Sequence, residues 1–149
     1  MIKKIAVFMV LLTIGPMLVS PVEMGIIGGT INKPGESIYG LSAGFGFIVP
    51  LLKFEVEYFN MSERAFESLT VGVKLRKKFG HIAPYAIVGA GAEFEKFTLK
   101  FGQYDTYLFV GGGIHYFLTS MLSFRGDIRF LNFSDFTRTR LSIGLFFHL

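Results

Sequence analysis

The chain has 149 residues, 51% of them hydrophobic, with 18 Phe, 18 Gly, no Cys and no Trp. That length supports one domain, and the missing cysteines exclude a disulfide framework, thiolate metal sites and a lipid-anchoring cysteine. The formal charge is +4, part of it from Lys3 and Lys4, too mild and too scattered to point to nucleic acid.

Residues 1–20 stand apart. Lys3 and Lys4 form a positive n-region, 5–14 (IAVFMVLLTI) is an unbroken apolar run, and Gly15-Pro16 ends it. Such a run fits the h-region of a secretory signal and falls short of the roughly 20 residues a spanning helix needs. Processing after Ser20 would place Leu18 at −3, where a small residue is expected, and Pro21 at +1. A retained N-terminal helix is the alternative. The reading is a signal peptide over 1–20 and a single domain over 21–149.

From residue 22 onward, short alternating runs replace any helical period. The first, 22–30, is weak and rich in glycine. The second, 38–49, sets Tyr39, Leu41, Ala43, Phe45 and Phe47 against Gly40, Ser42, Gly44 and Gly46. The third, 52–59, sets Leu52, Phe54, Val56 and Tyr58 against Lys53, Glu55 and Glu57, and the fourth, 69–76, sets Leu69, Val71, Val73 and Leu75 against Thr70, Gly72, Lys74 and Arg76. In the fifth, 83–95, Ala86, Val88, Ala90, Ala92 and Phe94 oppose Gly89, Gly91, Glu93 and Glu95. In the sixth, 104–117, Leu108, Val110, Ile114 and Tyr116 oppose Gly111, Gly113 and His115. The seventh contains SFRGDIRF (123–130), and the eighth, 137–149, sets Leu141, Ile143, Leu145, Phe147 and Leu149 against Arg140, Ser142, Gly144 and His148. Alternation at a period of two marks strands with a different environment on each face. Eight such strands with short links predict an all-β, up-and-down antiparallel sheet closed into a barrel.

Alternation does not say which face is inside. A soluble lipocalin-like barrel, binding a small ligand, would turn the Phe/Leu/Val face inward; a transmembrane barrel does the reverse. Here the polar face is also the glycine face, and glycine is most useful on a strand where space is short. A narrow lumen crowded with Arg and Glu needs such gaps, whereas a wet outer surface does not. The apolar face is uniform along whole strands and aromatic, which suits a lipid-facing band. The reading is therefore a transmembrane barrel. Arg125-Gly126-Asp127 then belongs to a strand interior, with Arg125 and Asp127 on the lumen side and Gly126 outward, so it is not displayed as an adhesion tripeptide.

PYAIVGAGAEF (84–94) and VGGGIHYFLTSMLSFRGDIRF (110–130) resemble the fifth strand and the sixth–seventh hairpin of small eight-stranded outer-membrane barrels of the outer-membrane protein A and X type. The resemblance covers 22–149 and rests on pattern and Gly-x-Gly placement. It implies an integral protein of a Gram-negative cell envelope, outer-membrane lipids as surroundings, the outer-membrane assembly machinery as a partner in biogenesis, and a monomer. Two departures stand out: the family usually ends on an aromatic residue, whereas this sequence ends FFHL, and no peptidoglycan-binding domain follows.

Parity sends Lys53, Lys74, Arg76, Arg125, Arg129 and Arg140 into the lumen against Glu55, Glu57, Glu93, Glu95 and Asp127, with His115 among them. The near balance of charge reads as a plug of paired side chains, since an unpaired buried charge costs roughly 3–5 kcal/mol. A small porin-like pore is the alternative, and eight strands leave room for little beyond side chains. A lipid A-modifying barrel enzyme would need a histidine within reach of a serine and a carboxylate at the lipid border. His81 falls in a turn and His115 and His148 point inward, so no outward position of strands two to eight offers one. No two histidines have ligand-like spacing for a metal, and VGGGI (110–114) lacks the Lys-Ser/Thr and the helix of a phosphate loop. No cofactor is expected. The outer loops, about 31–37, 60–67, 96–103 and 134–136, are short and mixed in charge. The function expected is that of a non-enzymatic outer-membrane barrel with a structural or surface-interaction role.

Overall fold

The computed structural model describes residues 22–33, 35–46, 49–63, 66–95 and 104–149. The signal-peptide reading of 1–20 and the loop 96–103 lie outside the described residues. Eight antiparallel strands run in order: β1 (Val22–Ile31), β2 (Glu36–Gly46), β3 (Leu52–Met61), β4 (Phe66–Arg76), β5 (Ile82–Glu95), β6 (Tyr104–Phe117), β7 (Leu122–Asn132) and β8 (Thr137–His148). Each pairs with the next, and β1 pairs with β8, so the sheet closes on itself without a free edge.

Two ends result. The turn end carries the β2–β3, β4–β5 and β6–β7 connections together with Val22 and His148. The loop end carries the β1–β2, β3–β4, β5–β6 and β7–β8 connections. At the turn end Phe79 and Ile82 bridge across Gly80, whose φ of 60° falls in the left-handed region that glycine adopts without strain.

Several strands begin or extend beyond the sequence reading. β2 starts at Glu36 because Glu36 and Ser37 pair with Ile31 and Thr30, and β4 starts at Phe66, opposite Glu95. These extensions carry the inward residues Glu36 and Ser68, which the alternation did not flag.

The apolar face points outward along the whole wall. Leu108 is 67% exposed and Ile143 74%, and Leu41, Val71 and Val88 are exposed likewise. The charged side chains lie inside, the reverse of a lipocalin-like barrel. Wall and lumen are fitted by glycine at positions of close approach: a Cβ on Gly44 would fall 2.4 Å from Cγ of Glu23, and one on Gly113 would fall 2.7 Å from Cβ of Asp127.

The lumen is layered. Toward the loop end lie Ile31, Ile38, Phe59, Met61, Tyr107, Phe109 and Leu131, part of a buried apolar cluster that continues past the charged residues through Ile27, Tyr85 and Ile87 to Phe146. The middle is charged, and toward the turn end Phe117, Phe146 and His115 are buried.

Candidate functional site

The middle layer is built by β3, β4, β7 and β8, and its defining contacts span the barrel rather than following the sheet. Glu55 and Glu57 sit two residues apart on β3, so both project inward. From the opposite wall, Arg125 Nη1 lies 2.8 Å from Glu55 Oε2 and its Nη2 2.5 Å from Glu57 Oε1. Arg129 Nη2 lies 2.6 Å from Glu55 Oε1 and 3.0 Å from Glu57 Oε1. Arg140 Nη1 adds a 2.8 Å contact to Glu57 Oε2. Lys74 Nζ bonds Glu55 Oε2 at 2.8 Å and also pairs with Glu23 Oε1.

Asp127 completes the layer. It receives Arg125 Nε at 3.1 Å, Arg129 Nη2 at 3.2 Å and Arg140 Nη2 at 3.4 Å, and accepts hydrogen bonds from Ser142 Oγ at 2.6 Å and Tyr85 Oη at 2.8 Å. Aromatic rings cover the guanidinium faces: Phe146 over Arg125 at 4.3 Å, Phe59 over Arg140 at 5.1 Å and Phe109 over Arg129 at 5.3 Å. Charge-assisted bonds in this water-poor space are strong, and each depends on its partner staying in place.

Two smaller groups flank the layer. At the loop end Arg138 Nη1 pairs with Glu93 Oε1 at 3.1 Å, and Ser68 and Tyr107 share a 2.6 Å hydrogen bond. At the turn end Ser123 Oγ lies 2.7 Å from His148 Nε2 and 3.0 Å from His115 Nδ1, while His148 Nδ1 is 3.5 Å from Glu23 Oε2. Serine, histidine and carboxylate thus meet, as an acyl-transfer site would require. Ser123 has 0% exposure and opens to neither the outer wall nor the solvent, so no substrate reaches its hydroxyl in this conformation.

Of the residues singled out in the sequence, Glu55, Glu57, Lys74, Arg125, Asp127, Arg129 and Arg140 are brought into one cluster. Lys53 and Arg76 approach Glu23 nearer the turn end, Glu93 stands apart with Arg138, and His115 bonds Ser123. Glu95 is not brought in: it is exposed at the last position of β5, because parity fixes a face but not a depth along the barrel. Sequence reasoning missed Glu23, Arg138 and Tyr85. Arg138 shares its face with Arg140 and Tyr85 with Gly89, both already assigned inward, whereas Glu23 shares its face with Gly25 and Ile27 on the weak first strand. Among the described residues no group of three or more His, Asp or Glu could hold a metal ion.

A depression of about 970 Å³ on the outer wall is lined by Ile26, Ile114, Ile128, Leu141 and Ile143 around Gly112 and Gly126. It is mostly apolar, and Arg125 and Asp127 of the charged layer also line it.

No family model matches the chain, and no curated protein matches it in sequence. Solved structures match it in fold. The N-terminal β-barrel domain of OprF from Pseudomonas aeruginosa superposes with a TM-score of 0.74 at 15% identity, covering 87% of this chain and 97% of that one. A de novo designed transmembrane β-barrel gives 0.67 at 15% identity, over 87% and 95% of the two chains. The outer membrane protein Ail of Yersinia pestis, in a phospholipid bilayer nanodisc, gives 0.57 at 14% identity, over 85% and 99%. The chain is an eight-stranded antiparallel β-barrel that resembles barrels of this outer-membrane type. At such identities the likeness is one of fold.

Proposed function

We propose that this is a non-enzymatic integral protein of a bacterial outer membrane, exported by its N-terminal signal peptide and folded as a monomeric barrel whose lumen is plugged by paired charges. Its role is structural or one of surface interaction. The partners are outer-membrane lipids and, during biogenesis, the assembly machinery.

The observation that carries this reading is the inversion of polarity between wall and lumen. Arg129, Arg140, Lys74, Glu55 and Glu23 rank among the largest fully buried side chains, while Leu41, Val88, Leu108 and Ile143 are more than half exposed. An apolar surface that encircles a protein is a liability in water and a requirement in hydrocarbon. The strands have 10 to 14 residues, enough to cross an apolar band of about 25 Å when tilted. Aromatic rings stand near both borders, Tyr39 and Tyr104 toward the loop end and Phe79 and Phe147 toward the turn end. The structural likeness to a designed transmembrane barrel and to an outer-membrane protein supports the same compartment.

The test is expression with the native leader, followed by membrane fractionation and electrophoresis of boiled and unboiled samples. The protein is expected in the outer-membrane fraction, migrating as a compact form until boiled. Recovery as a soluble periplasmic protein without detergent would refute the reading.

A further inference from the structure

We propose that the turn end of the barrel binds a phosphate group. Glu23 Oε2 is a meeting point there: Arg76 Nη1 lies at 2.5 Å, His148 Nδ1 at 3.5 Å and Lys53 Nζ at 3.8 Å. Lys74 holds the other oxygen of Glu23 but is shared with Glu55. Lys78 reaches the same mouth from the β4–β5 turn. Its Nζ lies 4.0 Å from the centroid of the Phe117 ring, against which His148 packs at 4.7 Å and Arg76 at 5.9 Å.

Lys53 and Arg76 therefore face a single carboxylate with Lys78 at the same mouth, and among the described side chains at this end no second acidic residue offsets the surplus. The connections 47–51 (FIVPL), 77–81 (KKFGH) and 118–121 (LTSM) contain no acidic residue. Lys53 is the clearest sign of a missing partner. Its side chain is 7% exposed, its Nζ makes no hydrogen bond, and its contact to Glu23 is long. A buried ammonium left this way is costly, and an oxyanion supplies what it lacks.

Phosphate fits better than a carboxylate or a halide. It presents several acceptor oxygens in a tetrahedron, which suits three donors arriving from β3, β4 and the β4–β5 turn. Its charge of one to two matches the surplus of three cations over one carboxylate. The Arg76 guanidinium is the group suited to bind two of those oxygens at once. The phosphate can come from solution or from a lipid headgroup at the rim, where exposed Lys77 stands 5.2 Å from the ring of exposed Phe79.

The experiment uses the refolded barrel in nanodiscs of zwitterionic phosphatidylcholine, with the backbone amides of Lys53, Arg76 and Lys78 followed by NMR. Inorganic phosphate is titrated against sodium chloride at constant ionic strength. A second arm uses phosphatidylglycerol discs without added phosphate. Saturable shifts at these amides in the phosphate arm assign a free anion; the same shifts present from the start in the second arm alone assign a headgroup. In either arm Lys78→Gln, an exposed change that leaves the fold intact, is expected to weaken binding about tenfold, and Lys53→Met to abolish it. If Lys53→Met does not refold, Lys78→Gln alone decides. No saturable shift in either arm, equal shifts with chloride, or unchanged affinity in Lys78→Gln would overturn the proposal. The phosphate arm requires only the folded barrel, so its failure is distinct from failure of the membrane assignment.

Discussion

Arg125 on β7 and Glu55 on β3 are 70 residues apart in sequence and stand on opposite walls of the barrel, yet Arg125 Nη1 lies 2.8 Å from Glu55 Oε2. The contact is one strand of a web rather than an isolated pair. Glu55 also binds Lys74 and Arg129, whereas Arg125 also reaches Glu57 and Asp127. The lumen is thus cross-braced through its middle, and the bracing is independent of the hydrogen-bond ladders that close the wall.

The web predicts unequal losses on removing one or the other side chain. Glu55→Gln leaves three cations without one carboxylate in a space with little water, and is expected to destabilise the barrel by about 3–5 kcal/mol. Arg125→Met leaves its carboxylates with other cations and adds an apolar stem beside Phe146, so its loss should be smaller. The double variant should lose clearly less than the sum, because the two side chains share partners. Urea unfolding in lipid vesicles measures all three. Equal single losses with full additivity would show that the two residues act independently.

The paired layer also predicts a closed lumen. Eight strands enclose a space about wide enough for side chains, and two seals are stacked in it: the ion-pair web and the apolar cluster around Phe59 and Phe109. Purified protein in planar bilayers should show no steady conductance. Replacing Phe59 and Phe109 together with alanine should leave it silent, since the charged layer remains. Stable ion-selective openings from homogeneous unsubstituted protein would contradict the plug.

How much of this could be read in the sequence depends on whether a strand meets two environments. Residues 52–58 are legible because Leu52, Phe54, Val56 and Tyr58 face outward while Lys53, Glu55 and Glu57 face a charged interior. One step further the signal reverses: Phe59 and Met61 point inward into the apolar cluster, while Asn60 between them faces outward. Phe109, Ile87 and Phe146 escape notice because their outward neighbours, such as Leu108, Val88 and Phe147, are apolar as well. The first strand was weak because Gly25, Gly28 and Gly29 interrupt it, and this hid Glu23. Parity also says nothing of depth, which is why Glu95 ended up outside the cluster. The meeting of Ser123 with His148 needed the β7–β8 register, which no local pattern encodes.

Arg125-Gly126-Asp127 gives the sharpest separation of stability from surface recognition. Arg125 and Asp127 are 2% and 7% exposed, and both are tied into the lumen web. Gly126 faces outward, and a Cβ placed on it would meet nothing within 4 Å. A receptor approaching from outside would meet one glycine and no charge. Asp127→Ala removes a carboxylate that serves three guanidiniums, a tyrosine and a serine, and should lower stability by about 3–5 kcal/mol, read as a lower urea midpoint of the refolded barrel. Gly126→Ala should leave that midpoint unchanged, since the added methyl has open space. Neither change should alter attachment to integrin-bearing cells. Lost attachment with an unchanged midpoint in Asp127→Ala would place the tripeptide on the surface and remove β7 from the barrel wall.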